Sequence, residues 1–144
     1  NENQSHLVKF GADFYLNDKN TLSFYTTQNW FDGFASGRSR ISDTNGNLLI
    51  NAPNTQDNTS PTGTYNVNYK VDFKKEGHNL ELEATYSNTN AENFLNNLDD
   101  IDPTNINNYF NDIESKRNNT QLNLDYTNPL NEKNKIRTWF RVSR

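Results

Sequence analysis

Tyr65-Asn66-Val67-Asn68-Tyr69-Lys70-Val71-Asp72-Phe73 decides the fold. Tyr65, Val67, Tyr69, Val71 and Phe73 fall on one side of an extended chain, and Asn66, Asn68, Lys70 and Asp72 fall on the other. That period of two belongs to a β-strand with one apolar face. The turn Lys74-Lys75-Glu76-Gly77-His78 leads into a second run, where Leu80, Leu82, Ala84 and Tyr86 alternate with Glu81, Glu83 and Thr85. Two such runs around a short polar turn predict an antiparallel hairpin.

Working outward, four more segments alternate in the same way. The expected strands are 7–16, 21–34, 65–73, 79–87, 120–127 and 135–143, forming three hairpins. Short turns lie near Asp18, Glu76 and Asn131, whereas 35–64 and 88–119 are long and polar and are expected as loops. Within them, Asp43-Thr44-Asn45-Gly46 predicts a turn flanked by a small hairpin, and 91–98 a short surface helix. Short and long connections in strict alternation are the pattern of an up-and-down membrane barrel. The strands match the roughly 9–11 residues that cross a bilayer at a tilt. Phe14, Phe73 and Tyr126 near the short turns, and Trp30, Tyr65 and Tyr86 near the long loops, suit interfacial aromatic girdles.

Composition narrows the function. Only 31% of the 144 residues are hydrophobic, yet the seven Tyr, nine Phe and two Trp argue against disorder. Net charge is −4, which gives no basic footprint for nucleic acid. No cysteine is present, so disulfides, zinc–thiolate sites and thiol nucleophiles are excluded. There is no apolar run long enough for a membrane-spanning helix, which leaves strands open. Methionine is also absent, and Asn1 reads as an internal or processed start of a piece of a larger protein.

No motif points to catalysis or to a cofactor. The acidic run from Asn97 to Asp102 has oxygen ligands for calcium, but neither EF-hand spacing nor its glycine. It reads as a solvated loop, so no metal site is expected. His6 fits a strand start and His78 a turn residue. Glu81 and Glu83 share a strand face, which suits a wet polar face better than paired-carboxylate chemistry. A soluble all-β binding or adhesion module, of carbohydrate-binding type, remains the competing reading.

The segments Gly11–Ser23, Tyr65–Phe73, Gly77–Leu80 and Asn119–Leu130 together resemble the barrel region of TonB-dependent receptors, an outer-membrane β-barrel family. The resemblance implies a cell outer membrane location of the Gram-negative type and a larger parent barrel with a plug domain. It also implies contact with TonB through parts outside this sequence, and a role in the wall and outer mouth of an uptake channel. Substrate contact is expected in the long loops, at Ile41, Leu48, Ile50, Phe94, Tyr109 and Phe110.

Register predicts which face is wet. A turn centred near Lys75 and Glu76 sets Lys70 opposite Glu81, Asn68 opposite Glu83 and Tyr65 opposite Tyr86. A turn centred near Asn131 sets Asp125 opposite Arg137 and Gln121 opposite Arg141. Such cross-strand pairs stabilise by roughly 0.2–1 kcal/mol, whereas a Lys or Arg facing mid-membrane lipid costs about 2–4 kcal/mol. The cost of charge in lipid outweighs the pairing, so Lys70, Glu81, Asp125 and Arg137 are expected on the lumen side, and Val67, Leu82, Leu124 and Phe140 against lipid.

Overall fold

The computed structural model describes residues 1–99, 107–131 and 134–144. Its elements are β1 (Glu2–Asn17), β2 (Asn20–Ser42), β3 (Leu48–Thr59), β4 (Thr62–Asp72), β5 (Asn79–Asp99), β6 (Asn107–Pro129) and β7 (Lys135–Ser143). They form one sheet in the order β1-β2-β3-β5-β6-β7, with β4 also pairing β2 and β5. The fold is all-β and antiparallel, with no helix among the described residues.

Seven strands stand where six were expected, because one strand position is split. Both β3 and β4 lie between β2 and β5, and they are separated at Ser60–Pro61. Asp32 pairs with Thr59, and the next step is Ser60 N donating to Phe31 O at 2.9 Å. Pro61 accepts from Asn90 N at 3.1 Å but has no N–H to return, so the ladder lapses there. With that split allowed for, every strand pairs with a neighbour in sequence order, as expected of successive hairpins.

The segments expected as long loops are mostly strand. β2 and β6 run for 23 residues each and β5 for 21, and 91–98 is strand and not helix. The small hairpin around Asp43–Gly46 is the tip of the long β2–β3 ladder, with Ile41 opposite Ile50 and Ser39 opposite Ala52. There Asp43 N donates to Asn47 O at 2.9 Å and Gly46 N to Asp43 O at 3.1 Å. Gly46 takes a φ of 87°, a conformation open to glycine at little cost. These stretches lack hydrophobic alternation because neither face is apolar. Their backbone groups still need partners, and the ladder supplies them.

The chain divides into two compact units. The long-hairpin unit comprises 1–6, 29–61 and 89–116, and the short-turn unit 7–28, 62–88 and 117–144. The turns at 18–19 and 73–78, and Leu130 and Asn134 between β6 and β7, all belong to the short-turn unit, where β4 has 11 residues and β7 has 9. No hydrophobic residue among the described ones is buried, while Ser23 and Asn123 are 8% and 9% exposed. Phe10, Val67, Leu82, Leu124 and Phe140 are all exposed. The packing is inside-out relative to a water-soluble domain, whose stability rests on buried apolar surface.

Candidate functional site

In the short-turn unit the two faces are chemically separate. The polar face is knit by side chains. Thr85 Oγ1 donates to Asn66 Oδ1 at 2.7 Å, and Asn68 Nδ2 to Glu81 Oε1 at 2.6 Å. Asn123 Nδ2 donates to Glu83 Oε2 at 2.8 Å, while Asn123 Oδ1 accepts from Arg141 Nε at 2.9 Å. Lys70 pairs with Asp72 of its own strand at 3.3 Å.

The opposite face is aromatic and aliphatic. Tyr65 stacks on Tyr86 with ring centroids 6.4 Å apart. At the turns His78 lies against Phe73 at 4.2 Å and shares a 3.0 Å hydrogen bond with Tyr126 Oη, so it is more than a turn residue. Lys75 Nζ donates to the carbonyls of Pro129 and Leu130, tying two short turns together.

Phe73 N donates to His78 O at 2.8 Å, the hairpin centre that sets Lys70 level with Glu81. In β6–β7 the expected partners are corrected by two residues. Asp125 sits opposite Trp139, Arg137 opposite Thr127, and Arg141 opposite Asn123. The cause is the closing bond from Leu130 N to Asn134 O at 2.8 Å, which moves the register centre by one residue. A shift of two keeps every side chain on its face, so Asp125 and Arg137 still share the polar side with Asn123.

In the long-hairpin unit the pattern changes. Gly33, Ala35 and Gly37 of β2 face Asn58, Gln56 and Asn54 of β3, which face Asn93, Leu95 and Asn97 of β5. On the reverse side lie Asp32, Arg38 and Arg40 of β2, Asp57 of β3 and Glu92 of β5. Phe110 stacks on Phe94 with centroids 6.3 Å apart, so alternation puts Asp112, Glu114 and Lys116 on this charged side too. Tyr109, Asn111 and Ile113 are then on the uncharged side. Asn3 Oδ1 lies 3.0 Å from the position a Gly33 Cβ would take, which places Asn3 on the uncharged side and Glu2 on the charged one.

The six residues singled out for substrate contact do not form one cluster. Ile41 and Ile50 are cross-strand partners on the uncharged side with Tyr109. Phe94 and Phe110 stack on the charged side. Leu48 pairs with Ser42 at a register irregularity. The amide row of Asn54, Gln56, Asn58, Asn93 and Asn97 was missed. Its signal in the sequence is alternation of charged with uncharged polar residues, which a search for hydrophobic alternation passes over. The acidic run near Asp100 and Asp102 lies outside the described residues.

Residues 71–143 match the sequence model of a family described as outer membrane protein beta-barrel family. No curated protein matches the chain.

Proposed function

The chain belongs to the outer membrane protein β-barrel family and so to the outer membrane, and from that premise we propose that it forms part of the wall and outer mouth of a TonB-dependent-receptor-like transporter. The observation that carries this is an apolar sheet face with no buried hydrophobic residue beneath it among the described residues. Lipid covers such a face at no desolvation cost, whereas a soluble binding module would need a second layer. The short-turn unit spans the membrane in this reading, its strand segments having the needed length. Lys70, Glu81, Asp125 and Arg137 face the lumen, and the turn at Asp43–Gly46 is exposed outside the cell.

The sheet order begins at β1 and ends at β7, and six strand positions are fewer than the eight of the smallest barrels. The remaining wall, a plug domain and the contact with TonB belong to a larger parent. The role is structural and transporting, with no catalytic step.

The chain contains no cysteine, so single cysteines report location cleanly. On intact cells a membrane-impermeant maleimide labels Asn45→Cys, and it labels Glu76→Cys only after the outer membrane is permeabilised. The reverse pattern overturns the orientation, and equal labelling of both in a soluble fraction overturns the barrel. Deleting the host's TonB reduces substrate uptake to the level seen without the transporter. Unchanged uptake overturns the energy coupling.

A further inference from the structure

We propose that the uncharged face of the long-hairpin unit binds a neutral oligosaccharide; this deepens the transport reading by naming its substrate class. Over 29–61, 89–98 and 108–116, the fixed charges on β2, β3, β5 and β6, from Asp32 and Arg38 to Glu114 and Lys116, all lie on one side of the sheet. The other side presents carboxamides, small residues and isolated apolar side chains. A ferric chelate, a phosphorylated compound or a charged peptide would be desolvated here with no countercharge. A neutral sugar meets no such penalty.

The carboxamides suit sugar hydroxyls for a specific reason. Each hydroxyl both donates and accepts, and so does each Asn or Gln side chain. The rows Gly33–Asn58–Asn93 and Gly37–Asn54–Asn97 repeat this chemistry along the sheet. The glycines make the rows possible. A Cβ on Gly37 would come 2.9 Å from Asn54 Oδ1, and one on Gly33 3.0 Å from Asn3 Oδ1. Without it, these amide groups lie close over β2. Tyr109, 63% exposed on the same side, offers a ring face to the apolar C–H face of a sugar and a hydroxyl at its rim. Tyr109 also lines a recess of about 460 Å³, shared by Asn97 and Asn111 of this side and by Asn108 and Phe110 of the charged side.

The test is calorimetric titration of the full-length parent protein in detergent micelles. The probes are maltoheptaose, cellohexaose and mannohexaose, with hexagalacturonate and ferric citrate as charged comparators. At least one neutral oligosaccharide binds, and raising the salt leaves its affinity unchanged because no ion pair is involved. Tyr109→Ala weakens binding by about tenfold, and Tyr109→Phe restores most of it. Asn54→Asp and Gln56→Glu, both close in size to the native residues, weaken it as well, while Asp57→Asn on the charged side does not. Binding of the charged ligands alone, binding of none of the neutral ones, or equal loss in Asp57→Asn overturns the proposal. Cysteine labelling of the same protein is read in parallel on intact and permeabilised cells. A chain that inserts correctly and binds no neutral sugar refutes this inference alone, and one that does not insert refutes the barrel reading.

Discussion

Tyr65 and Tyr86 stack across β4 and β5, their ring planes 22° from parallel, and Tyr86 Oη donates to Asn118 Oδ1 at 3.3 Å. The pair marks the level where the apolar face gives out. Along β5 in this unit, Leu80, Leu82 and Tyr86 are followed on the same side by Asn88. A ring with a polar rim suits that boundary. A double-mutant cycle on Tyr65→Ala and Tyr86→Ala, read by urea unfolding in lipid vesicles, gives a coupling of about 0.5–1.5 kcal/mol. Tyr86→Phe loses less than Tyr86→Ala, since it keeps the stack. A coupling of zero means that the rings are only neighbours.

Asn123 is the hub of the polar face. It bridges Glu83 and Arg141 and accepts a further bond from Gln121 Nε2 at 3.2 Å. Asn123→Leu leaves Glu83 and Arg141 without that partner and costs about 1–3 kcal/mol. Gln121→Ala removes one long bond at the margin and costs under about 1 kcal/mol. Equal losses in the two variants would contradict the bridging role.

The hairpins were legible because their alternation is hydrophobic. In 65–73 and 79–87 each step along the chain changes both polarity and face, so strand, register and wet side follow together. The long-hairpin strands were not legible on that criterion. Asn54, Gln56 and Asn58 are as polar as Thr55 and Asp57, and the stretch looks aperiodic until charge alone is counted. The β6–β7 partners were missed by a single residue in the turn centre, because a polar run such as 131–134 does not fix which residue lies at its middle. The faces survived that error because a two-residue shift preserves parity.

Gly46 and Gly77 have positive φ, 87° and 73°. Nothing lies within 4 Å of a Cβ at Gly46, and only Pro129 Cγ, at 3.5 Å, near Gly77. Space is therefore not the constraint; backbone conformation is. Gly46→Ala and Gly77→Ala each cost about 1–2 kcal/mol in the same unfolding assay. Loss well below that would show the turns relaxing to another conformation.

Asp43 holds the hairpin tip through its carboxylate. Its pKa lies below the ordinary 3.8, first because the Asn47 side chain donates to it, then through backbone donors. Oδ1 accepts from the N–H groups of Asn45 and Asn47 at 2.8 Å each, and Oδ2 from Asn47 Nδ2 at 2.9 Å. A depressed folded pKa means that the tip is steadied above the unfolded value and loosens as pH falls through the lowered one. Amide exchange at Asn45 and Asn47 therefore accelerates, relative to the strand amides, only in that acid range. Asp43→Asn removes the pH dependence, and a tip that loosens near neutral pH contradicts this origin.

The sharpest test of the sheet is a charge scan across its two faces. Val67 and Leu82 lie on the apolar side, with Asn68 and Glu81 hydrogen-bonded on the other. If lipid covers the apolar side, Val67→Lys or Leu82→Arg costs about 2–4 kcal/mol near mid-membrane, while Asn68→Lys, beside Glu81, stays within about 1 kcal/mol. The cost of a lysine on the apolar side also falls with depth, to about 0–1 kcal/mol towards Tyr65. Urea unfolding in vesicles reads all of these. In a soluble protein packed on a second layer, Val67→Lys would also be costly, but the penalty would persist in buffer without lipid. The lipid reading therefore requires that the penalty exist only in the bilayer and grade with depth, and a flat, lipid-independent penalty would overturn it.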